Sequence, residues 1–417
     1  MSKITRRTFL GSTVAAAALA GPLATPWVRR AGAADPVTLG VVTPLSGPGE
    51  FIGKYVKNGA EVAVQLLNEA GGVSGREVAL ELRDSKLNPA AATAAARELL
   101  SAGVNLQLGT ISSAVALAMG PLMETENGVL ITCGAGTEKL NHEGYSDHVF
   151  RAGDGPVGRN RSLARLAAER YPEIKEWTGI IPDHEYGRTT WAIFVDGMLT
   201  FNPDAKILDP IVVPYGAGDY KTYITQAMRS PAGGIYNSTY GGDSVTLFQQ
   251  ARPFGLFREK VLIDSANEFI VANALKDKVP AHWTGIHWSN LTNADNPISE
   301  AFYEAYVAHS GDDQPMGWAG ETQAAVTAYA KAIETAGSTE TAAVIKALKG
   351  LSIETVTGPR LIRAEDNQAV KDVELIYIEP DADAPRGYKV TETIRIDGGS
   401  VVEPPSPGQP MQLKTVD

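Results

Sequence analysis

Residues Gly109–Thr137, GTISSAVALAMGPLMETENGVLITCGAGT, read as loop, helix, buried strand, loop. Gly109-Thr110-Ile111-Ser112-Ser113 follows the apolar run 104–108 and opens a helical pattern. Ser112 or Ser113 can cap that helix, whose first turn then offers free N–H groups and a partial positive charge. Val129-Leu130-Ile131-Thr132 is a short apolar run of the kind found in a parallel strand covered on both faces. It leaves into Cys133-Gly134-Ala135-Gly136-Thr137, a loop of small residues. Two strand ends then present hydroxyls and open backbone side by side. Open α/β sheets bind ligands at such a place, anionic ones especially.

The same rhythm runs outward in both directions. Upstream, strands are expected at 37–42, 78–82 and 104–108, separated by helices at 55–70 and 89–103, with glycine stops at Gly71-Gly72 and Gly103. Downstream, His148–Ala152 crosses into Gly153-Asp154-Gly155-Pro156, a hinge, and a second alternation follows. It has strands at 177–181, 205–213, 233–236 and 260–263, with helices between them. Residues 284–288 return towards the first half, helices cover 298–310, 320–336 and 339–348, and strands close the pattern at 358–363 and 373–378. The tail after Pro380, with Pro404, Pro405, Pro407 and Pro410, reads as surface-tied or mobile. Alternation of this kind builds parallel sheets with right-handed crossovers. Two similar α/β units with several crossings between them form a cleft at their carboxyl edges and close about a hinge.

Composition narrows the function. At 417 residues, two domains are expected, and 44% hydrophobic with 20% charged residues is ordinary for a globular chain. A net charge of −11 without a basic block argues against nucleic acid as partner. The single cysteine, Cys133, excludes an internal disulfide and reads as a small packing residue. His142, His148, His184, His282, His287 and His309 lack metal-ligand spacing, so neither a metal nor a cofactor is expected. No Gly-x-Gly-x-x-Gly follows the first strand and no Gly-x-Ser-x-Gly occurs, which argues against an enzyme.

The first 33 residues read as an export signal. Thr5-Arg6-Arg7-Thr8-Phe9-Leu10 matches the twin-arginine pattern, Gly11–Ala20 is a short alanine-rich apolar core, and Ala31-Gly32-Ala33 offers a cleavage site before Ala34. The segment carries Lys3, Arg6, Arg7, Arg29 and Arg30 and no acid, so its removal takes the net charge from −11 to −16. No cysteine lies near the site, so a lipoprotein anchor is not expected, and the location expected is the periplasm.

The ordered set Leu39-Gly40-Val41-Val42-Thr43-Pro44-Leu45-Ser46-Gly47-Pro48, Asn68-Glu69-Ala70-Gly71-Gly72-Val73-Ser74-Gly75-Arg76, Gln250-Ala251-Arg252-Pro253-Phe254-Gly255-Leu256 and Thr357-Gly358-Pro359 resembles the leucine/isoleucine/valine-binding family of periplasmic solute-binding proteins, over about residues 37–380. That resemblance implies a type I periplasmic-binding fold, two Rossmann-like lobes joined by three crossovers. The lobes it implies are 34–152 plus 286–356 and 153–285 plus 357–417. It also implies a monomer that captures a small carboxylate-bearing solute, an amino acid or an aromatic or aliphatic acid, and delivers it to an ABC permease in the inner membrane. A ligand sensor of the same fold, or an exported enzyme, are the alternatives.

Carried over position by position, the resemblance places ligand contacts at Phe51 and Ile52, at Ser113 beside Ser112, at Gly134, Ala135 and Gly136, and at Tyr186, Tyr240 and Trp318. Two positions depart from the amino-acid binders. Gly136 stands where they place a threonine, for which Thr137 is expected to compensate. Ala266 stands near where they place the carboxylate that holds the ligand's ammonium. Either Glu268, Asp264 or Glu321 supplies that charge, or the ligand has no ammonium, because an unpaired buried ammonium costs several kcal/mol.

Overall fold

The computed structural model describes residues 35–265 and 267–413; the export-signal reading of residues 1–33 and the Ala266 position lie outside the described residues. The first half holds a parallel sheet in the order β2-β1-β3-β4-β5. Its strands are β1 (Val37–Thr43), β2 (Val78–Asp84), β3 (Leu106–Leu108), β4 (Val129–Thr132) and β5 (Val149–Arg151), crossed by α1 (Glu50–Glu69), α2 (Pro89–Ser101) and α3 (Ser113–Thr125). The apolar, largely β-branched run VTLGVVT of β1 is buried almost throughout, as a central parallel strand requires. Asn88 caps α2 through Ala91 N–H, and Pro89 fills the next position, where no donor is lost.

The second half begins with α4 (Pro156–Arg170), β6 (Glu176–Pro182) and α5 (Glu185–Phe201). Short strands β7 (Lys206–Ile207) and β8 (Ile211–Val213) follow, then α6 (Lys221–Arg229), β9 (Gly234–Asn237), α7 (Gly242–Ala251), α8 (Leu256–Glu259), β10 (Val261–Asp264), α9 (Ile270–Leu275) and β11 (His282–Ile286). The chain then supplies α10 (Pro297–Ser310), α11 (Trp318–Ala336) and α12 (Thr341–Leu348), with α10 and α11 packed on α1. β12 (Ser352–Thr355), β13 (Gly358–Ile362) and β14 (Ala369–Val370) form a small antiparallel sheet, and β15 (Val373–Pro380) and β16 (Tyr388–Ile396) return to the second sheet. That sheet runs β16-β15-β11-β10-β9-β6-β7, with β8 also on β6. The chain thus passes between the halves three times, after β5, after β11 and after β14. Among the described residues no helix is long and apolar enough to cross a membrane.

One expectation changes. The strand expected over 205–213 is two short pieces, β7 and β8, because Pro210 has no N–H to give a ladder between them. The tail after Pro380 takes the surface-tied form of the two expected: β16 is a nine-residue antiparallel edge strand paired along the whole of β15. Beyond it, Glu403 and Ser406 hold His142, and Gly408 N–H donates to the His142 carbonyl. Residues 356 and 357 form the turn of the β12–β13 hairpin, where Thr355 pairs Gly358. The bridge from Gln368 to Arg151 keeps that hairpin's sheet beside β5.

Candidate functional site

The C-terminal ends of β1 and β3 diverge to opposite neighbours, β2 and β4, which is the switch point of an open sheet. The loop after β1 leads into the start of α1 with Phe51 and Ile52, and the loop after β3 leads into α3 with Ser112 and Ser113. In the second half, the loops after β6, β9 and β10 carry His184, Tyr240 and Ser265, and Tyr186 opens α5. Between these loop sets lies a cavity of about 410 Å³. It is lined by all the expected residues except Thr137 and Glu268: Phe51, Ile52, Ser112, Ser113, Gly134, Ala135, Gly136, Tyr186, Tyr240 and Trp318.

The two serines divide their work. Ser112 is the helix cap, with its hydroxyl accepting from Val115 N–H, and Ser113 begins the helix on the cavity wall. Ser113→Ala is therefore expected to weaken binding of an anionic solute by about 1–3 kcal/mol, read by titration calorimetry, with the melting temperature unchanged. Unaltered affinity would remove Ser113 from the ligand's contacts.

The 134–136 loop is glycine-rich because aromatic rings press on it. A Cβ on Gly134 would sit 2.8 Å from the Trp318 indole, and one on Gly136 would sit 3.1 Å from the Tyr186 ring. A threonine at 136 would have to displace Tyr186, so the small residue there and the aromatic ring belong together. Thr137 does not replace the lost hydroxyl: it is buried, its Oγ1 accepts from Lys139 N–H, and it caps a short turn.

The second-half wall is an aromatic corner. Tyr186 and Tyr240 meet edge to face with centroids 5.8 Å apart, Tyr215 lies 5.6 Å from Tyr240, and His184 sits within about 6 Å of all three. Burial, with Arg188 nearby, lowers the His184 pKa and favours the neutral ring. Its Nε2 has no hydrogen-bond partner among the described residues. Burial also raises the Tyr186 and Tyr240 phenols, which stay protonated as donors. Tyr186 OH reaches Ser265 Oγ at 3.4 Å, and Ser265 donates to Asn160.

The expected ammonium partners do not reach the cavity. Glu268 is fully buried, with one oxygen accepting from His287 N–H and Nδ1 and the other from Gly317 N–H. Glu321 is buried against Arg360 and Lys371, and Asp264 accepts from Asn237, Asn267 and Thr284. Asp154, Arg159, Glu185 and His287, which also line the cavity, carried no signal as a set in the sequence. Asp154 and His287 sit in the first and second crossovers, and only folding brings them together.

Elsewhere, burial pushes the Cys133 thiol up to about 12, in keeping with a packing residue. His142 is less isolated than its sequence neighbours imply: Glu138, His142 and Glu403 come within 4.8 Å of one another. Arg151 pairs Glu138 and Arg363 pairs Glu403, so those charges are already balanced by protein cations.

Residues 36–383 match the periplasmic binding protein family. The Leu/Ile/Val-binding protein homolog 3 of Brucella melitensis is 29% identical over 334 residues, covering 77% of this chain and 86% of that one. Among solved structures, the closed leucine-, isoleucine-, valine-, threonine- and alanine-binding protein of Brucella ovis superposes with a TM-score of 0.79 at 18% identity, covering 89% of this chain and 98% of that one. A solute-binding protein of an ABC transporter from Rhodopseudomonas palustris BisB5, in complex with 3,4-dihydroxybenzoic acid, gives 0.74 at 20% identity, covering 87% and 98%. A two-lobed chain with its cavity at the switch point, matched to one family from its first strand into the segment after β15, belongs to the periplasmic binding protein family.

Proposed function

We propose that this protein is the periplasmic solute-binding component of an ABC importer, which captures a small carboxylate-bearing solute between its lobes and hands it to the permease. The observation that carries this is the cavity of about 410 Å³, walled by loops of both halves and touched by Asp154 and His287 of the first two crossovers. A ligand touching both walls favours the closed form by its differential affinity, and that form is the one a permease reads. The Brucella melitensis relative is named for branched-chain amino acids and the Rhodopseudomonas structure holds an aromatic acid. Both ligand classes carry a carboxylate, which Ser113 and the α3 N-terminus suit.

In this reading the lobes are 34–152 with 287–370 and 153–286 with 373–413, the third crossover being Lys371-Asp372. Export follows the twin-arginine route with cleavage before Ala34, and the mature chain works as a monomer without a lipid anchor.

A thermal-shift panel of amino acids, amine-free acids and amides on residues 34–417 tests the reading. A solute at a hundred times its dissociation constant stabilises the fold by about 2.7 kcal/mol, a clear rise in melting temperature. A panel in which no carboxylate raises it would overturn the carboxylate assignment.

A further inference from the structure

We propose that Arg159 takes an anionic group of the ligand on the second-lobe wall, and that the site selects acids carrying no ammonium. The inference rests on the solute-binding reading above and deepens it.

Arg159 leaves the first turn of α4, close behind the first crossover, and lines the cavity. Its arm passes across β11 at Gly285, where a Cβ would stand 2.6 Å from the arginine Cγ. The strand gives up a side chain there so that the guanidinium can reach the cavity. Arg159 binds Asp154 through Nε at 3.3 Å and through Nη2 at 2.9 and 3.0 Å. Among the described residues Nη1 has no hydrogen-bond partner. Asp154 thus fixes one edge of the planar fork and leaves the other donor edge for a carboxylate.

The acids around the cavity are meanwhile neutralised from within. Asp154 has Arg159, with His287 Nε2 at 3.8 Å. Glu268 is turned away onto His287, and Glu321 is held by Arg360 and Lys371. Glu185, at the exposed rim, pairs with Lys139 at 2.9 Å. An ammonium entering the cavity would have to strip one of these acids from its cation, while a carboxylate finds an open donor edge. Tyr186, Tyr240 and Trp318 cover the rest of such a ligand, giving it a flat or apolar body.

The test uses pairs of ligands that differ only in the amine: 4-methylpentanoate against leucine, and 3-phenylpropanoate against phenylalanine. Each is titrated into residues 34–417 of the wild type, R159Q and R159K by calorimetry, with melting temperatures recorded with and without ligand. The amine-free member of at least one pair is expected to bind at least tenfold more tightly than its amino partner. R159Q is expected to lose at least tenfold in affinity for that acid, and R159K, which keeps the charge without the fork, less. Tighter binding of the amino acids overturns the inference and leaves the carboxylate reading standing. So does an R159Q protein that keeps its ligand-free melting temperature and binds the acid like wild type. If R159Q does not fold, the wild-type pairs and R159K decide. Binding of the matched amide, 4-methylpentanamide, but of neither acid, overturns both readings.

Discussion

Arg360→Ala is expected to lower the unfolding free energy by about 3–5 kcal/mol, because it strands a buried carboxylate. Arg360 and Glu321 are both fully enclosed and form a salt bridge. The guanidinium also donates to the Ala152 carbonyl at 2.7 Å, to Thr355 Oγ1 at 3.1 Å and to Thr357 Oγ1 at 2.9 Å. Without it, Glu321 keeps Lys371 at 3.8 Å, while the Ala152 carbonyl loses this donor. The effect reaches the crossovers. Ala152 opens the first, Lys371 belongs to the third, and Lys371 Nζ donates to the His287 carbonyl of the second at 3.1 Å. Urea denaturation followed by circular dichroism measures the loss. The double variant E321Q/R360M removes both charges and should recover part of it. A double variant as unstable as the single one would mean that the stranded Glu321 charge is not the cause, and that the loss comes from the arginine's packing and its bonds to Ala152, Thr355 and Thr357.

Those crossovers also mark where sequence reasoning stops. Short β-branched runs such as VTLGVVT and VLIT between glycine-stopped helices leave one economical solution, a parallel sheet, so both halves were legible. The loops at the strand ends were legible for the same reason, because the site of an open sheet follows from its topology. Asp154, Arg159 and His287 were not. Asp154 and Arg159 are five residues apart at the first crossover, but His287 comes from the second, and its meeting with them is set by how the crossovers pack. Strand β16 was hidden among prolines, although YKVTETIRI has the β-branched alternation of an edge strand. Glu268 misled for a backbone reason. Its φ of +46° puts it in the left-handed region, and its carboxylate accepts from His287 and Gly317 behind the wall.

Glu268 therefore holds the wall together, and its replacement carries the second large effect. Glu268→Gln is expected to cost about 3–5 kcal/mol, since a buried, fully engaged charge partner is lost. One Glu268 oxygen accepts from two His287 donors and the other from Gly317 N–H at 2.9 Å. An amide can offer only one oxygen, and its NH₂ group faces a donor on the other side. The pH dependence separates this from simple packing. Burial alone would raise the Glu268 pKa, but the His287 charge, its hydrogen bond and Gly317 N–H outweigh it and hold the value below normal. A carboxylate depressed in the folded state contributes stability above its unfolded pKa of about 4.3, and loses it as pH falls through the folded value. The gap between wild type and E268Q should therefore be full near pH 6 and narrow below about pH 4. Chemical denaturation at a series of pH values measures it. A gap that stays constant down the series would show that the Glu268 charge contributes nothing and that shape alone keeps Gly317 and His287 in place.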